Sequence, residues 1–101
     1  MMKQSHADAL WNHLHWLRVL AEKGSFTRAA EQLEVSKAAM SQKIKELEAI
    51  AGVALVQRTT RSVRLTYEGQ KLVEDIRQPF DQIEQSFNAL RDASGPLRGV
   101  V

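Results

Sequence analysis

Cysteine is absent from the chain, so no disulfide frame, thiolate metal site or cysteine nucleophile can contribute. Proline and glycine are sparse, two and five in 101 residues, and none of the glycines forms a phosphate-cradling loop. No apolar run approaches the roughly 20 residues that a bilayer-spanning helix needs, and the N-terminus lacks the apolar core of a signal peptide. Neither a Ser/His/acid set nor paired carboxylates mark a catalytic centre, so no enzyme and no cofactor are expected. What remains, 44% hydrophobic and 26% charged, describes a foldable soluble chain of one domain plus an extension. A cytoplasmic protein with no membrane partner is the expectation.

The stretch that organises the rest runs from Ser25 to Leu47. Phe26, Ala29, Ala30 and Leu33 recur at helical spacing. A break follows at Glu34-Val35-Ser36, where Ser36 is a good helix N-cap. Met40, Ile44 and Leu47 then line one face of a second helix. At about 100° per residue, Ala38, Gln42, Lys45 and Ala49 fall opposite that stripe, with Lys37, Ser41 and Lys43 flanking it. Such a face is slim, basic and rich in donors and acceptors, the properties a helix needs to enter a major groove. Small Ala29 and Ala30 would let the two helices cross closely. The spacing predicts a helix-turn-helix whose recognition helix starts at Lys37.

The net charge of +2 conceals an uneven distribution. Residues 36–66 hold six basic side chains (Lys37, Lys43, Lys45, Arg58, Arg61, Arg64) against Glu46 and Glu48, a net +4. Residues 67–101 hold four basic and six acidic, a net −2. Positive charge is thus concentrated in the recognition helix and the segment after it, the footprint of a polyanion-binding face. A solvated surface could carry the same excess, so charge alone does not decide.

In chain order, residues 1–7 carry no pattern and read as a loose end. Asp8 would cap a helix whose stripe is Leu10, Leu14, Leu17, Leu20 and Ala21, ending near Gly24. His6, His13 and His15 read as surface histidines, because His13 and His15 point to different faces and no acid or thiol completes a ligand set. Trp11 and Trp16 read as cover for the core, or part of a dimer contact, rather than as platforms for bases. Beyond Gly52, Leu55 to Arg58 can pair with Val63 to Leu65 across a turn at Thr59 to Ser62, making a small β-wing. Arg61 would stand at its tip with Arg58 and Arg64 on its arms, and arginine gains most from a narrow, negative minor groove.

Thr66 then caps a long helix with Glu68 in its first turn. Val73, Ile76, Phe80, Ile83, Phe87 and Leu90 follow at spacings of 3, 4, 3, 4 and 3, a heptad seam. The small core is expected to have no use for this stripe, so a second copy of the chain would cover it. Six such side chains, at about 1.5–3 kcal/mol each when fully buried, suffice to hold a dimer. Pro79 would kink this helix rather than split it. Ser94-Gly95-Pro96 ends it, and Leu97 to Val101 reads as the opening of a strand in a further domain.

The fold class is therefore mainly α: a winged helix-turn-helix (three helices plus a two-stranded β-wing) over residues 8–66, a dimerising linker helix over 67–93, and the start of a linker over 94–101. Residues 24–69 closely resemble the N-terminal domain of LysR-type transcriptional regulators. The carrying residues are GSFTRAAEQL (24–33), VSKAAMSQKIKELE (35–48), GVALVQR (52–58) and RLTYEG (64–69). The resemblance implies a bacterial DNA-binding regulator that dimerises through the linker helix and often forms a tetramer at full length. It also implies a small-molecule effector domain C-terminal to this chain. By the same resemblance Thr27 contacts phosphate, Lys37, Ala38, Ser41 and Gln42 face the major groove, and Arg61 enters the minor groove. Lys37 and Ala38 stand where the family commonly has Gln followed by Pro or Ser, so base preference there does not carry over.

Sequence-specific binding of double-stranded DNA by a homodimer, regulating transcription, is the resulting expectation. Lys37, Ser41, Gln42 and Lys45 are expected at bases; Ser25, Thr27, Ser36, Lys43 and Arg58 at phosphates, helped by the recognition-helix N-terminus; Arg61 in the minor groove. Two copies would present their helices to half-sites one or more turns apart, about 34 Å per turn. A winged helix used as a protein-interaction module would lack salt-sensitive affinity for duplex DNA. A sequence-neutral architectural protein would bind all duplexes alike.

Overall fold

A computed structural model of the chain describes residues 7–59 and 62–93. The elements are α1 (Ala7–Lys23), α2 (Phe26–Leu33), α3 (Lys37–Ala51), β1 (Val56–Arg58), β2 (Val63–Leu65) and α4 (Tyr67–Ala93). Among the described residues no helix is long and apolar enough to cross a membrane. The first six residues, Thr60, Arg61 and everything after Ala93 lie outside the description, and with them the loose N-terminus, the wing-tip Arg61 and the helix stop at Ser94-Gly95-Pro96.

Each boundary has a local chemical cause. Helix α1 starts at Ala7, so Asp8 is its second residue rather than the one before it, a displacement of two residues at an end where helices fray. Gly24 closes α1 at φ +70°, with its N–H donating to the Leu20 carbonyl at 2.8 Å. The Ser25 hydroxyl then accepts the Arg28 N–H at 3.2 Å and opens α2. Glu34 takes the left-handed conformation at φ 59°, and Val35 N–H reaches back to the Ala30 carbonyl at 3.0 Å. That bond satisfies a carbonyl orphaned at the helix end and folds the chain into α3 within three residues. Ser36 caps α3 as expected, its hydroxyl accepting the Ala39 N–H at 3.0 Å. Gly52, at φ +79°, ends it.

The core lies where α1, α2 and α3 converge. Leu17, Leu20, Met40 and Ile44 are fully buried, Leu47, Leu55, Val56 and Val73 nearly so. Ala29 is wholly buried and Ala30 is 4% exposed; their methyl-sized side chains set how closely the helices approach. Strands β1 and β2 pair antiparallel, Val56 opposite Leu65, Gln57 opposite Arg64 and Arg58 opposite Val63. Leu55 lies just outside that ladder: its N–H donates to Glu48 and its carbonyl accepts the Thr66 N–H.

Helix α4 begins with the Thr66 hydroxyl accepting the Gly69 N–H at 3.0 Å. The same hydroxyl donates to the Ala54 carbonyl at 2.7 Å, so one side chain starts α4 and ties it to the α3–β1 turn. The helix runs unbroken through Pro79. One expectation about its seam is overturned. Val73 belongs to the chain's own core, and Phe80 is only 7% exposed. The Phe80 ring stacks on Trp11 at 5.1 Å between centroids and on His15 at 5.8 Å, with the Arg18 guanidinium 5.0 Å away. Helix α1 lies alongside the first half of α4 and covers it, so the small domain does use that part of the stripe. Farther along, Ile83, Phe87 and Leu90 are 48%, 61% and 64% exposed.

Candidate nucleic-acid interface

Because Met40, Ile44 and Leu47 bury the underside of α3, its opposite ridge of Ala38, Gln42, Lys45 and Ala49 is exposed. Lys37 at its N-terminus is exposed too, while Ser41 and Lys43 are half-buried on the flanks. A cleft of about 390 Å³ opens where the first turns of α2 and α3 meet the wing. Ser25, Thr27, Lys37, Ser41 and Arg58 line it together with Phe26, Thr59, Ser62 and Val63. Five of the residues singled out in the sequence thus share one depression. Two helix N-termini, α2 and α3, open toward it, and both add partial positive charge. Five hydroxyl side chains, an ammonium and a guanidinium around such ends make a surface suited to an anionic oxygen.

Two aromatic rings hold the flanking cations. Arg58 lies with its guanidinium 5.0 Å from the centroid of Phe26, and the Lys43 ammonium lies 4.7 Å from that of Trp16. Such contacts contribute about 0.5–1 kcal/mol at exposed sites and restrict where the charge can go. Hydrogen bonds close the wing where its strands end: Thr59 N–H donates to the Ser62 carbonyl at 3.0 Å and Ser62 N–H to the Thr59 hydroxyl at 2.9 Å. Arg64 pairs with Gln57 and borders a separate depression with Ala21 and Gln70, so it is not brought to the cleft. Ala38, Gln42 and Lys45 form the exposed ridge rather than the cleft wall, and Ser36 caps α3 as Ser25 caps α2 but does not line the cleft.

Both acids of this segment are engaged within the chain. Glu48 Oε2 accepts the Leu55 and Val56 N–H groups at 2.8 and 3.1 Å. Glu46 accepts from His13 at 2.9 Å and from Gln42 at 3.3 Å; these two bonds, His13 first, hold its carboxyl below the usual carboxylate range. His13 is therefore no free surface histidine, and Trp16 and Phe26 do more than cover the core. Sequence periodicity had no means of finding these roles, since each partner lies on another element, as with His13 and Glu46, 33 residues apart. Among the described residues no group of three or more His, Asp or Glu side chains is arranged to hold a metal ion.

A family profile described as "Bacterial regulatory helix-turn-helix protein, lysR family" matches residues 11–70. The chain is 43% identical over 88 residues to the glycine cleavage system transcriptional activator of Escherichia coli K12, an alignment covering 85% of this chain and 29% of that protein. It is 39% identical over 93 residues to the HTH-type transcriptional regulator PerR of the same organism, covering 91% of this chain and 31% of PerR. The chain thus spans less than a third of the length of these curated relatives. Its fold superposes on the CbnR DBD in its DNA complex with a TM-score of 0.69 at 31% identity, covering 83% of this chain and 97% of that one. The BenM DBD bound to catB site 1 DNA gives 0.73 at 30% identity, covering 84% and 96%.

Proposed function

The chain belongs to the lysR family of bacterial regulatory helix-turn-helix proteins, and on that premise we propose that it binds duplex DNA sequence-specifically and regulates transcription. The observation that carries this reading is the joining of the exposed α3 ridge to the cationic cleft beside it. Gln42, Lys45 and Ala38 enter the major groove with Lys37 and Ser41. Ser25, Thr27 and Arg58 take a phosphate at the cleft, and Lys43 takes one on the Trp16 side. Hydrogen bonds to phosphate fix register, and contacts to base edges carry the sequence information. Arg61, outside the described residues, is assigned to the minor groove from its place in the sequence between β1 and β2.

A second copy covers the far end of α4. Ile83, Phe87 and Leu90 are the exposed members of the seam, and each contributes about 1.5–3 kcal/mol when fully buried. Dimerisation sets two recognition helices on one duplex and so makes the preferred site an imperfect palindrome.

Selection of duplexes from a random pool tests the reading. An enriched, two-fold-related sequence whose affinity falls steeply with salt is the expected result. Equal binding of all duplexes would leave an architectural role, and no salt-sensitive binding would leave a protein-interaction module.

A further inference from the structure

Glu46 is an anomaly on a face assigned to a polyanion. It sits one turn beyond Gln42 on α3, with its side chain 46% exposed, where an unpaired carboxylate would repel phosphate. Each of its oxygens has a partner: Oε1 is 2.9 Å from His13 Nε2 and Oε2 is 3.3 Å from Gln42 Nε2. A carboxylate only accepts hydrogen bonds, so both nitrogens donate. The His13 side chain is 11% exposed and belongs to α1, so it ties the carboxylate to a second helix. The carboxyl is held below its ordinary range by these bonds and remains an acceptor throughout neutral pH.

The consequence falls on Gln42. A free glutamine amide can turn either its N–H₂ or its carbonyl toward a base, and commonly offers both to adenine. With one of its two N–H groups held by Glu46, the planar amide cannot turn over, and it keeps its carbonyl, with the second N–H beside it, away from that contact. We propose that Glu46, steadied by His13, is a specificity-determining residue that fixes the orientation of the Gln42 amide. Gln42 then offers a carbonyl of fixed orientation with one N–H beside it, and favours a base carrying an exocyclic amino group, adenine above all or cytosine, on the strand it faces. Guanine and thymine offer only acceptors at that edge, which leave the Gln42 carbonyl unmatched, and are disfavoured. This inference rests on the DNA-binding reading above and adds what that reading leaves open, the chemical class of base at one position.

The test uses the chain with its selected duplex and the base pair at which Gln42→Ala loses discrimination. Four duplexes differing only at that pair are compared in competition binding for the wild type, E46A and E46Q. The wild type should favour adenine or cytosine by about tenfold, within the range for a good base contact. E46A should bind all four more tightly, having lost a like charge, and its discrimination should fall to about threefold or less. E46Q removes the same charge but keeps a carbonyl acceptor for the Gln42 nitrogen, so it should bind more tightly and retain the preference. E46A takes an acceptor from His13, which can lower the melting temperature, so thermal unfolding of the three proteins is measured and binding is compared where all are folded. Undiminished discrimination by E46A, or a wild-type preference for guanine or thymine, would overturn the inference while leaving DNA binding intact. Absence of any preferred duplex for the wild type would instead remove the reading beneath it.

Discussion

Glu48 reaches past the end of its own helix to take the backbone N–H of Leu55, Oε2 to nitrogen 2.8 Å. The same oxygen accepts from Val56, the first residue of the wing. The wing's position relative to the recognition helix is therefore fixed by a side chain of that helix. Glu48→Ala leaves two part-buried donors without their acceptor and should destabilise the domain by about 1–3 kcal/mol. Glu48→Gln keeps an acceptor oxygen and should lose less. Urea denaturation of the two variants orders these effects; an alanine variant as stable as the wild type would show that the wing is held by other contacts.

Gly69 is the tightest point in the linker-helix junction. A Cβ placed there would overlap the carbonyl oxygen of Leu55, which also accepts the Thr66 N–H at 3.0 Å. The obstacle is backbone, so it cannot swing aside as a side chain tip would. Gly69→Ala should therefore destabilise by the upper part of the roughly 1–3 kcal/mol typical of overpacking, or beyond it. A melting temperature unchanged by this substitution would mean that the first turn of α4 can shift freely.

Two halves of the α4 seam should respond differently to mutation. Phe80→Ala removes a ring packed on Trp11, His15 and Arg18 and should weaken folding by about 3–5 kcal/mol. Phe87→Asp and Leu90→Asp replace exposed residues and should leave the fold intact while shifting the protein to monomer. Sedimentation equilibrium with parallel thermal melts separates the outcomes. Dimers that survive the double aspartate change would place the interface elsewhere.

Stability should rise with pH across the window in which His15 titrates. Burial, reinforced by Arg18, lowers the His15 pKa from its usual 6.5, and its Nδ1 lies 3.4 Å from Arg18 Nη2, the arrangement of a neutral imidazole accepting from a guanidinium. The unfolded chain thus binds a proton that the native chain does not, just below pH 6.5. The stabilisation is full above that pH and disappears as pH falls through the lowered native value. Denaturation midpoints between pH 7.5 and 5 should decline on acidification, and His15→Phe should flatten the decline. An unchanged slope in His15→Phe would assign the effect to other groups.

Much of the architecture was legible because it follows from period and punctuation. Met40, Ile44 and Leu47 announced the buried side of α3, Ser36 and Gly52 its ends, and the Val63-Arg64-Leu65 alternation a strand. The overturned expectation concerned the seam: heptad spacing says that a stripe is covered but not by what. Here α1 covers Val73 and Phe80, a fact that depends on how two helices distant in sequence cross. The candidate site divides in the same way. Lys37, Ser41 and Arg58 were identified by type and facing and Thr27 through the family resemblance, whereas the anchoring of Arg58 on Phe26, of Lys43 on Trp16 and of Glu46 on His13 emerges only when elements pack.

The central claim is a division of labour on one helix, Gln42 reading bases while Lys43 holds a phosphate. Measuring affinity for the selected duplex and a panel of single-base variants, each over a range of salt, tests it most directly. Gln42→Ala should reorder the panel and leave the salt slope unchanged. Lys43→Ala should weaken every duplex by a similar factor and reduce the logarithmic salt slope by about 1. If both substitutions weakened all duplexes equally, with the same change in slope, the outward ridge of α3 would not be the part of this chain that reads sequence.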